Sequence, residues 1–293
     1  MESDETMKRC ANCGVKEDDD IKLKICTACK SVRYCGINCQ KEHRPKHKKA
    51  CKKRAAELLD ELLFKQPESG HLGYCPICCL PFSTDRNTYL LMMCCSTLVC
   101  GGCAYAEIKC GRPCPFCRKP GATSLKKTFE YCMKRVEAND HVAMQHLGEL
   151  YQLKNGDYTN AFKYYSMAVK VGNNIEAHYA LGNLYFEGLG CEEDEKKALF
   201  HWTEAAIGGH EAARHQLATI EISRERYERA AKHLIIAANL GLEMSLPSLR
   251  DLHRDGHISK EEFAAALRGY QTAADATKSS NRDEVAKMKL RTS

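Results

Sequence analysis

Nineteen cysteines are present, and their spacing is the feature that could do chemistry. Between Cys75 and Cys117 they run Cys75-x2-Cys78, then the adjacent pair Cys94-Cys95, then Cys100-x2-Cys103 and Cys114-x2-Cys117. A C-x2-C pair folds into a tight knuckle that offers two thiolates to one tetrahedral zinc ion, so each metal needs a second pair from elsewhere in the chain. Three knuckles and a doublet make two sites. The first ladder in the chain precedes this second one: Cys10-x2-Cys13, Cys26-x2-Cys29, Cys35-x3-Cys39 and His47-x3-Cys51. Its last four ligands suit helical turns, because residues i and i+4 share a helix face. Such short segments cannot bury a self-sufficient core, so metal binding must supply much of their folding free energy.

The first ladder resembles a MYND finger over its whole length, including Tyr34 before the fifth ligand and Gln40 after the sixth. The resemblance implies cross-braced sites, with Cys10, Cys13, Cys35 and Cys39 on one zinc and Cys26, Cys29, His47 and Cys51 on the other. Family members bind short proline-containing peptides in a groove that commonly includes a tryptophan, and Arg44 and Pro45 stand at that place here. His43 is expected to be a surface residue.

The second ladder resembles a divergent RING finger with adjacent cysteines. The resemblance implies one zinc on Cys75, Cys78, Cys100 and Cys103. The other falls to Cys94, Cys95, Cys114 and Cys117, with Cys110 as the alternative fourth ligand. Thr97 occupies the place of the usual histidine. RING fingers that promote ubiquitin transfer carry no nucleophile or base of their own, and act by docking a charged ubiquitin-conjugating enzyme. The positions matching the family's docking surface are Ile77, Pro115 and Arg118, the last a multi-donor guanidinium suited to bridging two partners. The following helix lacks the large apolar residue often found at its fourth position, where Glu107 stands. Cys79 is expected to be small and buried.

These ligands need positioning elements. From Lys41 to Arg54 the chain carries eight basic residues against Glu42 alone, followed by Leu58, Leu59, Leu62 and Leu63 at helical spacing, which predicts one helix running to Phe64. Nucleic acid is a disfavoured partner, because no aromatic residues interleave with the basic ones. Phe129, Cys132, Met133 and Val136 mark a connecting amphipathic helix. Beyond it Leu147-Gly148-x2-Tyr151 recurs as Leu181-Gly182-x2-Tyr185, and Ala168-x3-Gly172 as Ala205-x3-Gly209 and Ala237-x3-Gly241. The unit is helix, turn, helix, and these repeats resemble Sel-1-like repeats, relatives of the tetratricopeptide solenoid. Each unit leaves an apolar face that only its neighbours cover, giving an extended binding surface. Tyr165 and Trp202 are expected in its core.

The expected fold is mainly α: two small cross-braced zinc modules of α+β type, then an α/α superhelical array. The boundaries are 8–53 for the MYND-type finger, 54–70 for a helix and linker, 71–120 for the RING-type finger, 121–138 for the connecting helix, 139–276 for the repeats and 277–293 for a polar tail. The acidic, polar N-terminus is no secretory signal and no run is long enough to span a membrane, so reduced thiols in cytoplasm or nucleus are expected. Four zinc ions are expected as cofactors. The favoured functional expectation is a RING-type ubiquitin ligase that recruits a protein through its repeats, and through the MYND finger as well, and docks a conjugating enzyme. The competing expectation is a non-enzymatic, nuclear, zinc-binding interaction scaffold.

Overall fold

The structure is a computed structural model that describes residues 8–111, 113–122 and 124–289. The chain divides after Lys65 into two compact units.

In the first unit, short strands β1 (Lys24–Ile25) and β2 (Arg33–Tyr34) pair antiparallel, and helix α1 (Ile37–Leu63) follows. Pro45 lies inside α1 and removes the N–H that would reach the Lys41 carbonyl. The helix continues nonetheless, with Cys39 before the proline and His47 and Cys51 after it held in two separate clusters. Cys10, Leu23, Cys26, Cys29 and Tyr34 form the small core.

The second unit begins with a hairpin module. Strands β3 (Tyr89–Met92) and β4 (Thr97–Cys100) pair antiparallel with Tyr89 opposite Cys100, and helix α2 (Gly101–Lys109) leaves directly from β4. Val99, Cys75, Cys100, Cys103 and Ala104 are its buried centre. Helix α3 (Leu125–Glu137), capped by Ser124, leads to the repeats.

Four antiparallel helix pairs follow: α4 (His141–Asn155) with α5 (Tyr158–Gly172), α6 (Ile175–Glu187) with α7 (Glu195–Ile207), α8 (Glu211–Ser223) with α9 (Tyr227–Asn239), and α10 (Ser245–Arg254) with α11 (Lys260–Ala276). The recurring Leu-Gly pairs have a steric cause. A Cβ on Gly182 would lie 2.3 Å from the Trp202 ring, and one on Gly148 2.7 Å from Tyr165. The glycine therefore seats the aromatic residue of the next helix. In the third pair Leu234 is smaller than either aromatic and Ala218 stands where glycine stood, both fully buried in one cluster. The two positions change size together.

Past Thr277, where a helix remnant and a polar tail are expected, residues 280–289 are helical. Helix α12 (Ser280–Lys289) packs against α2. A Cβ on Gly102 would come within 2.9 Å of the Asn281–Arg282 backbone, so the glycine permits the contact. Arg282 then donates to the carbonyls of Pro81 at 2.7 Å, Leu80 at 3.3 Å and Thr277 at 2.9 Å, and to Cys78 Sγ at 3.5 Å. No helix among the described residues is long and apolar enough to cross a membrane.

Candidate metal centres and a buried ionic cluster

The four C-x2-C turns outside helices share one backbone plan. In each, the first cysteine's N–H donates to a carbonyl five or six residues on, and its own carbonyl accepts from the residue after the second cysteine: Gly14, Lys30, Cys79 or Arg118. That residue has φ between 53° and 76° in every case. Only glycine adopts this region freely, so Lys30, Cys79 and Arg118 are held there by the turn around them. Cys79 is exposed, contrary to its expected burial.

The turns bring sixteen side chains into four quartets: Cys10, Cys13, Cys35 and Cys39; Cys26, Cys29, His47 and Cys51; Cys75, Cys78, Cys100 and Cys103; Cys94, Cys95, Cys114 and Cys117. Tetrahedral ligands about 2.3 Å from one ion stand roughly 3.75 Å apart. The sulfurs of Cys13 and Cys35 are 3.7 Å apart, those of Cys26 and Cys51 3.8 Å, of Cys78 and Cys100 3.8 Å, and of Cys95 and Cys114 3.7 Å. A disulfide needs about 2.05 Å. Donor type, number and separation all fit zinc, which in each quartet would cross-link segments distant in sequence and make folding depend on the metal. Cys110 is exposed and lies outside every quartet.

One knuckle thiol in each quartet is favoured as a thiolate, while burial and neighbouring thiols push others up, Cys51 to about 11 and Cys94 and Cys103 further. Burial opposes ionisation at Cys10, Cys26, Cys78 and Cys114, yet hydrogen bonds outweigh it. Backbone N–H groups, led by those of Cys13, Cys29, Leu80 and Cys117 respectively, lower these thiols to about 6, 6, 7 and 7. At Cys78 the Arg282 guanidinium contributes as well.

His43 belongs to no quartet. Its Nδ1 lies 3.1 Å from the Tyr34 hydroxyl and its ring stacks on His47 at 5.5 Å, so it helps hold the His47 ring in place. Ile77 is 41% exposed, and Pro115 and Arg118 are exposed as well, so all three lie at the surface of the hairpin module.

A fifth cluster went unseen in the sequence. His71 lies in the loop ahead of the hairpin module, and its N–H donates to the Gly209 carbonyl at 3.2 Å. Its side chain is only 6% exposed, with Nε2 2.9 Å from Glu176 and Nδ1 3.4 Å from Glu211. The ring stacks on His210 at 4.3 Å. Arg86 reaches Glu149 and Glu176 from the hairpin module, and Thr84 donates to the Gly241 carbonyl at 3.1 Å. The module is thus stapled to the turns between successive repeats.

His71, His210 and Glu211 are residue types that ligate metals, but the protons argue otherwise. His210 Nδ1 accepts the Ala213 N–H at 3.3 Å as the N-cap of α8. Its proton therefore sits on Nε2, 3.2 Å from Glu176, and a protonated nitrogen is no ligand. Burial disfavours a charged His71, yet Glu176 and Glu211 overcome that and raise it to about 9. Burial likewise works against the two carboxylates, and the histidines hold Glu176 well below its usual range and lower Glu211. The cluster is an ion network, and no local spacing announces it.

With this geometry established, comparison with known proteins identifies parts of the chain. Residues 10–51 match the MYND finger family, and residues 141–173, 175–210 and 223–242 match the Sel1 repeat. The chain therefore carries a MYND finger, which implies zinc, and a Sel1 repeat array. No family match names the hairpin module. Among solved structures, a Sel1 repeat protein from Oxalobacter formigenes is 24% identical over 60% of this chain and 72% of that one, with a TM-score of 0.46. The protective antigen c5321 of uropathogenic Escherichia coli, described as displaying an SLR fold, is 21% identical over 57% of this chain and 37% of its own, with a TM-score of 0.43. No curated protein matches.

Proposed function

We propose that this chain is a zinc-dependent adaptor in which the Sel1 array holds a protein partner and the hairpin module acts as a RING-type finger that docks a charged ubiquitin-conjugating enzyme. The observation that carries the reading is the pair of thiolate quartets in residues 75–117, interleaved along the chain, with Ile77, Pro115 and Arg118 exposed around them. A module of this kind contributes proximity and orientation, without a nucleophile of its own. The knuckle turn fixes the Arg118 backbone through its bond to the Cys114 carbonyl at 2.9 Å, leaving the guanidinium to donate to several acceptors at once. Four zinc ions are part of the proposal, two in the MYND finger and two here.

A direct test measures affinity of the zinc-loaded full chain for a panel of conjugating enzymes. Ile77→Ala truncates an exposed aliphatic anchor and is expected to weaken binding about tenfold, corresponding to about 1.4 kcal/mol. No binding by the wild type across the panel would contradict the reading.

Glu107 supports the second reading, a scaffold that holds proteins together without ubiquitin transfer. It puts a carboxylate at the helical position where docking RING fingers often present a large apolar side chain.

A further inference from the structure

The hairpin module leaves one strand edge without a partner. Among the described residues β3 pairs only with β4. The Cys100 N–H is directed at Cys75 Sγ, 3.5 Å away, and hence away from β3. Tyr89 and Cys100 are therefore a non-hydrogen-bonded pair, and by the alternation of an antiparallel ladder so are Leu91 and Leu98. It follows that the amide and carbonyl groups of Tyr89 and Leu91 point outward from the hairpin.

Beside them runs a groove of about 1340 Å³. Tyr89, Leu90, Leu91, Met92 and Met93 all line it. Successive strand side chains point to opposite faces, so one groove that meets all five follows the edge of the strand and its exit. Its opposite wall is the first repeat, where Gln145, Gln152 and Tyr165 line it. An open edge in a groove with apolar lining is a template for another strand.

We propose that this groove binds an extended segment of a protein partner, added as a third strand to β3, with alternating apolar residues and at least one lysine or arginine. The apolar requirement comes from Leu90, 44% exposed, and from Leu91 and Met93 beside it. The basic residue follows from charge. Of the three carboxylates lining the groove, Glu149 is engaged by Arg86 and Glu176 by His71, which among the described residues leaves Glu107 to meet a cation. This site deepens the reading above by naming what the adaptor holds. It rests on the hairpin module and first repeat acting as one recruiting surface.

The test uses the zinc-loaded full chain and a displayed library of random decapeptides. The most enriched peptide is resynthesised with a fluorophore, and then with a single backbone N-methyl group at each position in turn. Enriched peptides are expected to alternate apolar residues and to carry a basic one. N-methylation at alternate positions should weaken binding at least tenfold, with less than twofold effect between them, because every second amide faces β3. Glu107→Lys should weaken binding at least fivefold. Absence of enrichment overturns the proposal, as does an N-methyl scan without the period of two. So does a concentration-dependent dimer that Leu90→Lys dissolves, which would assign the edge to a second copy. Binding is read without ubiquitin or a conjugating enzyme, so failure of ubiquitin transfer and failure of this site are separate results.

Discussion

His71 Nε2 lies 2.9 Å from Glu176 Oε2, joining positions 105 residues apart and tying the hairpin module to the second repeat. The pH dependence follows from the directions of the shifts. Burial lowers the His71 affinity for a proton, but Glu176 and Glu211 raise it to about 9, above the ordinary 6.5. Its contribution to stability is therefore complete below about pH 6.5, declines from there to about 9, and is gone beyond. Glu176 and Glu211 are depressed, so their contribution is present above their ordinary 4.5 and is lost as pH falls through the lowered folded values. Urea unfolding followed through Trp202 should show the difference between wild type and His71→Gln shrinking from pH 6.5 to 9, by on the order of 3 kcal/mol. Taking the difference removes the pH dependence of zinc binding, which both chains share. A constant difference would contradict the ion network.

Removing only the cation should be worse than removing the whole network. His71→Leu leaves Glu176 and Glu211 buried without it, and the expected loss is about 3 to 5 kcal/mol. Adding Glu176→Gln and Glu211→Gln to His71→Leu should recover more than half of that loss in the same unfolding experiment. Additive losses would mean that the three residues act independently.

The Gly182 and Trp202 pair gives a packing test. Gly182→Ala places a methyl group where the indole sits and is expected to cost about 1 to 3 kcal/mol. Combined with Trp202→Leu, which copies the Ala218 and Leu234 pair of the next repeat, the alanine should cost less than about 0.5 kcal/mol beyond Trp202→Leu alone. The melting temperature of the four chains, monitored by helical circular dichroism, checks this.

Metal content separates ligands from bystanders. Wild type should release four zinc ions on thiol modification, Cys94→Ser about three, and Cys110→Ser four, because Cys94 lies in a quartet and Cys110 does not. Loss of zinc from Cys110→Ser with none from Cys94→Ser would transfer the ligand role.

What could be read from the sequence depended on the range of the interaction. The grouping of the cysteines into quartets and the repeat period were legible because a knuckle is set by two intervening residues and a helical repeat by local spacing. Trp202 was legible as core for the same reason, although its reliance on Gly182 needed the packing. His71 carried no signal, since its partners are Glu176, Glu211 and the Gly209 carbonyl, all far along the chain. After Thr277 a helix remnant and a polar tail could be read, but not the docking of α12, because the Arg282 guanidinium and the close backbone approach to Gly102 leave no apolar stripe. Separate finger and repeat modules were expected from 71–120 and 139–276. Both lie within one compact unit, a closeness that their local spacing does not encode.

The most direct test of the central claim is single-turnover discharge of ubiquitin from a panel of charged conjugating enzymes, with the zinc-loaded full chain and Arg118→Ala at equal zinc content. Arg118 is exposed and ligates nothing in the quartets, so both proteins should hold the same metal. The wild type is expected to accelerate discharge from at least one enzyme by tenfold or more. Arg118→Ala should lose most of that acceleration while keeping conjugating-enzyme affinity within about twofold, because an interaction made only in the activated complex lowers the barrier without tightening the ground state. A folded, fully metallated wild type that accelerates none of them would contradict the ligase reading and leave the scaffold.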